Sequence, residues 1–203
     1  MHSKNFKIFI SETKNKLMKL SQARVYGGVG AILSLVGGFV PYAGGVVALV
    51  GIILVLVAVK YISEEAKDKS IFNNYLIAFI LAIVSVIVAI VALFAFIGAS
   101  VLFHPSEVRE LPRLSSVKLI FSLIAALLIF WILYLISAIF VKNSYYSIAH
   151  HTGVDLFHTT GLLYLIGAAT LIIFIGAIII FIAKILEIIA FFSLPEELPK
   201  QEL

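Results

Sequence analysis

Five apolar segments, none carrying a charged residue in its central part, fill most of the chain between Val25 and Leu194. No other feature constrains the fold as strongly, because it makes the lipid bilayer the solvent for most of the polypeptide. A hydrocarbon core of about 30 Å is crossed by about 20 apolar residues in a helix, and in lipid every backbone polar group must be satisfied within the segment. Of 203 residues, 62% are hydrophobic and 13% charged, against about 45–50% and about 25% in soluble domains, which excludes a water-soluble fold. The expected class is an all-α integral membrane bundle with five transmembrane helices, six being the alternative. The chain has no cysteine, so disulfides and thiolate chemistry are unavailable.

Before the first span, residues 1–24 carry Lys4, Lys7, Lys14, Lys16, Lys19 and Arg24, with Phe6, Phe9, Ile10, Leu17 and Leu20 at roughly helical spacing. That pattern predicts an amphipathic helix lying on anionic headgroups, and no aromatic-basic platform for nucleic acid accompanies it. The following glycine-rich segment has no small-residue cleavage site and is read as retained. The spans are expected at about 25–40, 44–61, 75–99, 117–141 and 162–190, within a bundle covering 25–194, and residues 195–203 form an acidic tail. Pro41 to Gly45 breaks the chain between the first two spans and predicts a tight hairpin. The first arm, at about 1.5 Å per residue, reaches only about 24 Å, so either the amphipathic segment feeds into it or the bilayer thins. Ser70 is placed as the N-cap of the third span, His104 to Ser116 as a loop, and Lys142 to Thr160 as a polar loop.

Gly161 to Leu194 is long for one span and short for two. Ala169, Gly176, Ala183 and Ala190 recur every seven positions, a phase that favours one long, tilted helix. With five spans, the basic N-terminal segment, Lys60, Lys67, Lys69 and Lys142 share one side, which the positive-inside rule makes cytoplasmic. The C-terminus is then expected outside.

Membrane helices associate through close contact at small residues and through interhelical hydrogen bonds. Gly30, Ser34 and Gly38 form such a face on the first span, and Gly44, Ala48 and Gly51 on the second, so this hairpin is expected to pack nearly backbone to backbone. Ala78, Ser85 and Ala92 repeat every seven residues in the third span, as Ala169, Gly176 and Ala183 do in the last. A left-handed crossing near +20° with a neighbouring helix follows for the third span.

Few side chains point to chemistry. His151, Asp155 and His158 would share one face of a helix, with ligands suited to zinc, but Gly153 interrupts that helix and a solvated loop is the expected reading. Trp131 and Tyr134 fall mid-span, where tight packing or the lining of a small apolar or quinone pocket are the options. Lys184 and Glu187, at i and i+3, either pair or snorkel toward the outer interface, and an intramembrane ion pathway follows if the helix sits deeper. No cofactor-binding motif or Walker A, G-x-S-x-G or H-E-x-x-H sequence occurs, so the protein is read as not an enzyme.

The order Gly28-x-Gly30-Ala31-Ile32-Leu33, Pro41-Tyr42-x-Gly44-Gly45 and Ser70-Ile71-Phe72-x-Asn74-Tyr75-Leu76, with Thr152-Gly153-Val154-x-x-Phe157 and Ala190-Phe191-Phe192-Ser193, resembles a mostly archaeal family of multi-span membrane proteins carrying a domain of unknown function. The resemblance implies an archaeal plasma membrane and no known catalytic residues. The leading functional expectation is a non-enzymatic accessory or assembly component, whose partners are the bilayer and other membrane proteins or a second copy of itself. The rival is a transporter or channel for a small neutral or weakly polar solute, suggested by the break at Pro41 to Gly45.

Overall fold

Apolar runs bounded by short breakers give helices and nothing else among the described residues. The computed structural model describes residues 2–102 and 112–199, with side chains described for 19–98, 117 and 120–199. Six α-helices follow in order: α1 (His2–Val36), α2 (Gly44–Ala66), α3 (Lys69–Leu102), α4 (Pro112–Thr152), α5 (Asp155–Thr170) and α6 (Ile175–Phe192). Each packs on its neighbours in the chain, and α1 packs on α6 to close a ring. Five segments are long and apolar enough to cross a membrane: 44–66, 69–98, 120–152, 155–173 and 175–192. The protein is a multi-pass membrane bundle.

The count of five agrees with the sequence, but its members differ. The expected first span, 25–40, is part of a longer helix: α1 runs unbroken from the basic segment to Val36 and packs along α2, which resolves the short first arm by feeding the N-terminal helix into it. The amphipathic face expected over residues 6–18 lies outside the described side chains. The last apolar stretch is not one helix. It breaks after Thr170 into a 3-10 turn, Leu171–Ile173, and a left-handed Phe174 at φ 62°, so α5 and α6 form a second hairpin. The cause is close helix contact: a Cβ on Gly167 would lie 3.1 Å from the Gly176 carbonyl oxygen, and one on Gly176 would collide with the Gly167 carbonyl. The seven-residue phase across the break is coincidental, since Ala169 faces outward while Gly176, Ala183 and Ala190 are buried.

Both hairpins, α1–α2 and α5–α6, turn at the same end of the bundle through an exposed, left-handed aromatic residue, Tyr42 and Phe174. The other end, the polar end, holds the α2–α3 and α4–α5 turns. There Lys67 adopts φ 56°, and Asp68, rather than Ser70, caps α3 by accepting a 2.9 Å hydrogen bond from the Ser70 amide. Burial opposes ionisation of Asp68, but the hydrogen bonds from Ser70 and the His151 ring 4.0 Å away hold its carboxyl below the usual range. Lys19 pairs with Glu64 at 3.0 Å, an exposed contact worth about 0–1 kcal/mol. The Arg24 guanidinium donates to the Leu194 carbonyl, and Pro199 sits against Gly153. Both ends of the described chain therefore lie at the polar end, not on opposite faces as five spans with a single last helix required.

The α3–α4 contact uses the small seam of α3. Ser144 and Ser137, seven residues apart on α4, donate 2.8 Å hydrogen bonds to the carbonyls of Ile71 and Ala78. Those carbonyls are free to accept because a second lone pair remains beside the helical bond. Ser85 is buried and bonds back to Ala82 in its own helix.

A candidate site in the membrane between α2 and α3

Splitting the last helix moves Lys184 and Glu187 from an interface to the middle of the membrane. They sit in the 18-residue α6, with Glu187 1% exposed. A lone buried carboxylate is prohibitively costly, and the neighbouring helices meet that cost with donors. Tyr145 of α4 donates to Glu187 Oε1. Tyr164 of α5 donates to Oε2 at 2.6 Å, and Lys184 Nζ reaches the same oxygen at 3.0 Å. Lys184 also donates to Ser34 Oγ of α1 at 3.0 Å and lies 5.5 Å from the centre of the Tyr164 ring. One ion pair thus ties together α1, α4, α5 and α6.

An aromatic shell surrounds the cluster on the side of the polar end. Tyr75 stacks on Tyr145 at 5.9 Å, and Phe157 and Phe191 meet Tyr145 edge-on. Tyr145, Phe157 and Phe191 are fully buried, so water is excluded from that side and the charges act in a low dielectric.

On the other side lies a cleft of about 570 Å³. Its walls come from α2, with Ala48 and Ile52, and from α3, with Phe79 and Ala82, while Tyr134, Lys184 and Glu187 form its floor. It exists because α2 and α3, joined by a tight turn at Lys67–Asp68, touch far less than the partners within each hairpin. At its rim, Leu49 and Ile83 are 44% and 36% exposed, so it opens sideways toward lipid. Trp131 is not part of it: its indole N–H donates to the Ala168 carbonyl at 2.9 Å. Apolar walls, a pre-formed volume and a few convergent polar groups are the general attributes of a small-molecule site.

The residues singled out from the sequence fall in several places. Gly30 and Gly51 face each other across the α1–α2 seam, where a Cβ on Gly30 would lie 2.6 Å from the Gly51 carbonyl oxygen. Gly44 abuts Gly37, Ala48 stands beside Gly37 and lines the cleft, and Ser34 serves Lys184. Gly38 faces open space, so Gly37 is the contact glycine there. Ala78 and Ser85 are buried toward α4, Ala92 is half-buried, and Gly176 and Ala183 are buried on α6. The expected polar loop at 142–160 is helical up to Thr152 and again from Asp155. Gly153, at φ 72°, turns the chain between them, so His151, Asp155 and His158 do not share a helix face. His151 instead contacts the Ser147 carbonyl at 2.8 Å, and His158 packs on Tyr146. Among the described residues no group of three His, Asp or Glu could hold a metal ion.

The tyrosines around Glu187 were not recognised from the sequence as a site. The signal was a Lys-x-x-Glu pair inside an 18-residue apolar run, an expensive placement that calls for partners.

Comparison with known proteins places the chain among proteins of undetermined activity. Residues 47–185 match the family described as Protein of unknown function (DUF996). An uncharacterized protein of Methanocaldococcus jannaschii is 37% identical over 185 residues, covering 91% of this chain and 98% of the relative. No solved structure matches.

Proposed function

The chain belongs to this family of unknown function, and from that premise we propose that it is a plasma-membrane protein that takes up a small neutral or weakly polar solute from the lipid phase, as a carrier or transporter. One observation carries the reading: a buried Glu187, hydrogen-bonded to a half-buried Lys184, forms with it the floor of an apolar cleft open to lipid. Intramembrane ionisable residues are costly and mark functional sites by default. The accessory role expected first rested on a lack of reactive side chains within the spans, and this pair removes that ground. The break at Pro41 to Gly45 lends transport no support, because Tyr42 at its centre is fully exposed at a hairpin turn. Catalysis is left out of the reading: Glu187 is tied to Tyr145, Tyr164 and Lys184, an arrangement that favours holding the pair in place. Because the polar end carries Lys19, Arg24, Lys67 and Lys69, we place it, with both termini, on the cytoplasmic side.

Mass spectrometry of the gently solubilised native protein tests this. A small-molecule adduct is expected on the wild type and is expected to be lost in Ala82→Trp, which fills the cleft. A stable polypeptide partner with no small adduct would favour the accessory role instead.

A further inference from the structure

A hydrogen-bond account of the cleft floor narrows the chemistry of what it binds. Glu187, the only carboxylate there, already accepts from Tyr145, Tyr164 and Lys184. An ammonium has three donors and no acceptor; Lys184 uses two of them, on Ser34 and Glu187. The Tyr134 hydroxyl, also on the floor, has no hydrogen-bond partner among the described residues: its ring stacks on Phe130 at 5.9 Å. Two donors are thus left unmatched beside a carboxylate that already accepts three hydrogen bonds, of the about four it can take. The charge balance is equally informative. Lys184 and Glu187 cancel, so a charged head group, anionic or cationic, would add an uncompensated charge to a low-dielectric site.

We propose that the cleft between α2 and α3 binds an uncharged amphiphile whose head is a carbonyl-type hydrogen-bond acceptor, as in a long-chain ketone, ester or quinone. Its oxygen is met by the Tyr134 hydroxyl and the third Lys184 proton, and its apolar body lies between Ile52 of α2 and Phe79 of α3. This rests on the reading of the cleft as a solute site, and adds the identity of the head group. A carbonyl oxygen is the best match to the floor: it has two lone pairs for the two donors, and it brings neither a charge nor a donor that would compete for Glu187. A long alkylamine would bring further donors to a floor already in excess of them, and an alkane would leave both donors unsatisfied.

The test uses the full chain in nanodiscs and a photoactivatable long-chain ketone as the reporter. Dodecan-2-one, dodecane, dodecylamine and dodecanoate compete with it at equal mole fraction in the bilayer. Dodecan-2-one should displace the reporter at about tenfold lower mole fraction than the other three, the ratio that one hydrogen bond of about 1.4 kcal/mol provides. Tyr134→Phe should remove most of that advantage while leaving displacement by dodecane unchanged. It should fold normally, because the lost hydroxyl has no protein partner. Equal displacement by all four competitors, or better displacement by the amine or the carboxylate, would overturn the assignment of the head group. An undiminished ketone preference in Tyr134→Phe would overturn the role of Tyr134. Labelling of Ile52 and Phe79 that persists in Ala82→Trp would instead sink the underlying reading of the cleft as a site.

Discussion

At the polar end, α2 and α3 are joined by a tight turn and held within a locked core; toward the hairpin turns, each hairpin stays closed while α2 and α3 stand apart. Leu20, Ile62, Ile71, Tyr145, Ile148, Phe157, Phe191 and Leu194 are all nearly or fully buried near the polar end. On α3, by contrast, Ile80, Ile87, Val91 and Phe94 are 52%, 53%, 61% and 70% exposed. Apolar exposure has little cost in lipid, so hydrophobicity does not explain the difference. Specific contacts do. The packed half has an aromatic cluster, serine hydrogen bonds between helices and the Lys19–Glu64 and Arg24–Leu194 links, and within each hairpin glycines admit backbone contact. The α2–α3 seam has none of these beyond its turn, and that is where the cleft lies. Packing in this protein is thus decided by shape and hydrogen bonds, and the place where both are withheld is the place available to a ligand.

Substitutions paired across the two regions put this contrast at risk, with stability read by unfolding in bicelles. The largest effect belongs to the glycine contact. Gly30→Val should cost about 3 kcal/mol, the upper end for overpacking, because backbone atoms of Gly51 and Val55 stand 2.6 and 2.9 Å from its Cβ and cannot swing aside. Gly45→Val, with nothing within 4 Å of its Cβ, should stay within about 0.5 kcal/mol. Equal losses would mean that α1–α2 contact is not set by its glycines.

Next comes the aromatic core. Phe157→Ala should cost about 2–3 kcal/mol, somewhat below the about 3–5 kcal/mol typical of buried phenylalanine, since the transfer part largely vanishes in lipid and the cavity part remains. Phe94→Ala, at a side chain 70% exposed, should change stability by less than about 0.5 kcal/mol. A comparable loss at Phe94 would show that the open half is packed against something.

The smallest effect separates two tyrosines. Tyr164→Phe removes a 2.6 Å hydrogen bond to Glu187 and should cost about 1.5 kcal/mol, the low end for a bond to a charged group, because Tyr145 and Lys184 still serve the carboxylate. Tyr134→Phe should be neutral for folding. Destabilisation by Tyr134→Phe would reveal a structural partner and weaken the case that its hydroxyl awaits a ligand.

Much of the architecture was legible in the chain. Hydropathy gave the membrane, the small residues Gly30 and Gly51 gave the first hairpin, and the spacing of Ala78 and Ser85 gave the face that meets α4. The second hairpin was not legible. Phe174 takes a left-handed conformation that local sequence gives no reason to expect, for it is neither glycine nor asparagine, and it is held there by the Gly167–Gly176 approach, a tertiary contact. That single miss set the termini apart and placed Lys184 and Glu187 at the interface, where they would need no partners. The site disappeared with it, since Tyr145 and Tyr164 fall in segments that looked like loop and helix end until α4 and α5 are seen to carry them to Glu187. The histidine cluster is the converse case: its members are near in sequence, and Gly153, which already marked an interruption of their helix, turns them apart.

The cleft itself is the most exposed part of the account. The chain has no cysteine, so a nitroxide can be placed at a single Ala82→Cys or, in the packed half, at Ile148→Cys, and its collisions with lipid-dissolved oxygen and with a water-soluble nickel chelate measured in bilayers. At Ala82 the account predicts ready collision with oxygen and none with nickel, while the label at Ile148 is reached by neither. A label at Ala82 as shielded from oxygen as the one at Ile148 would show that α2 and α3 are closed and that there is no cleft open to lipid.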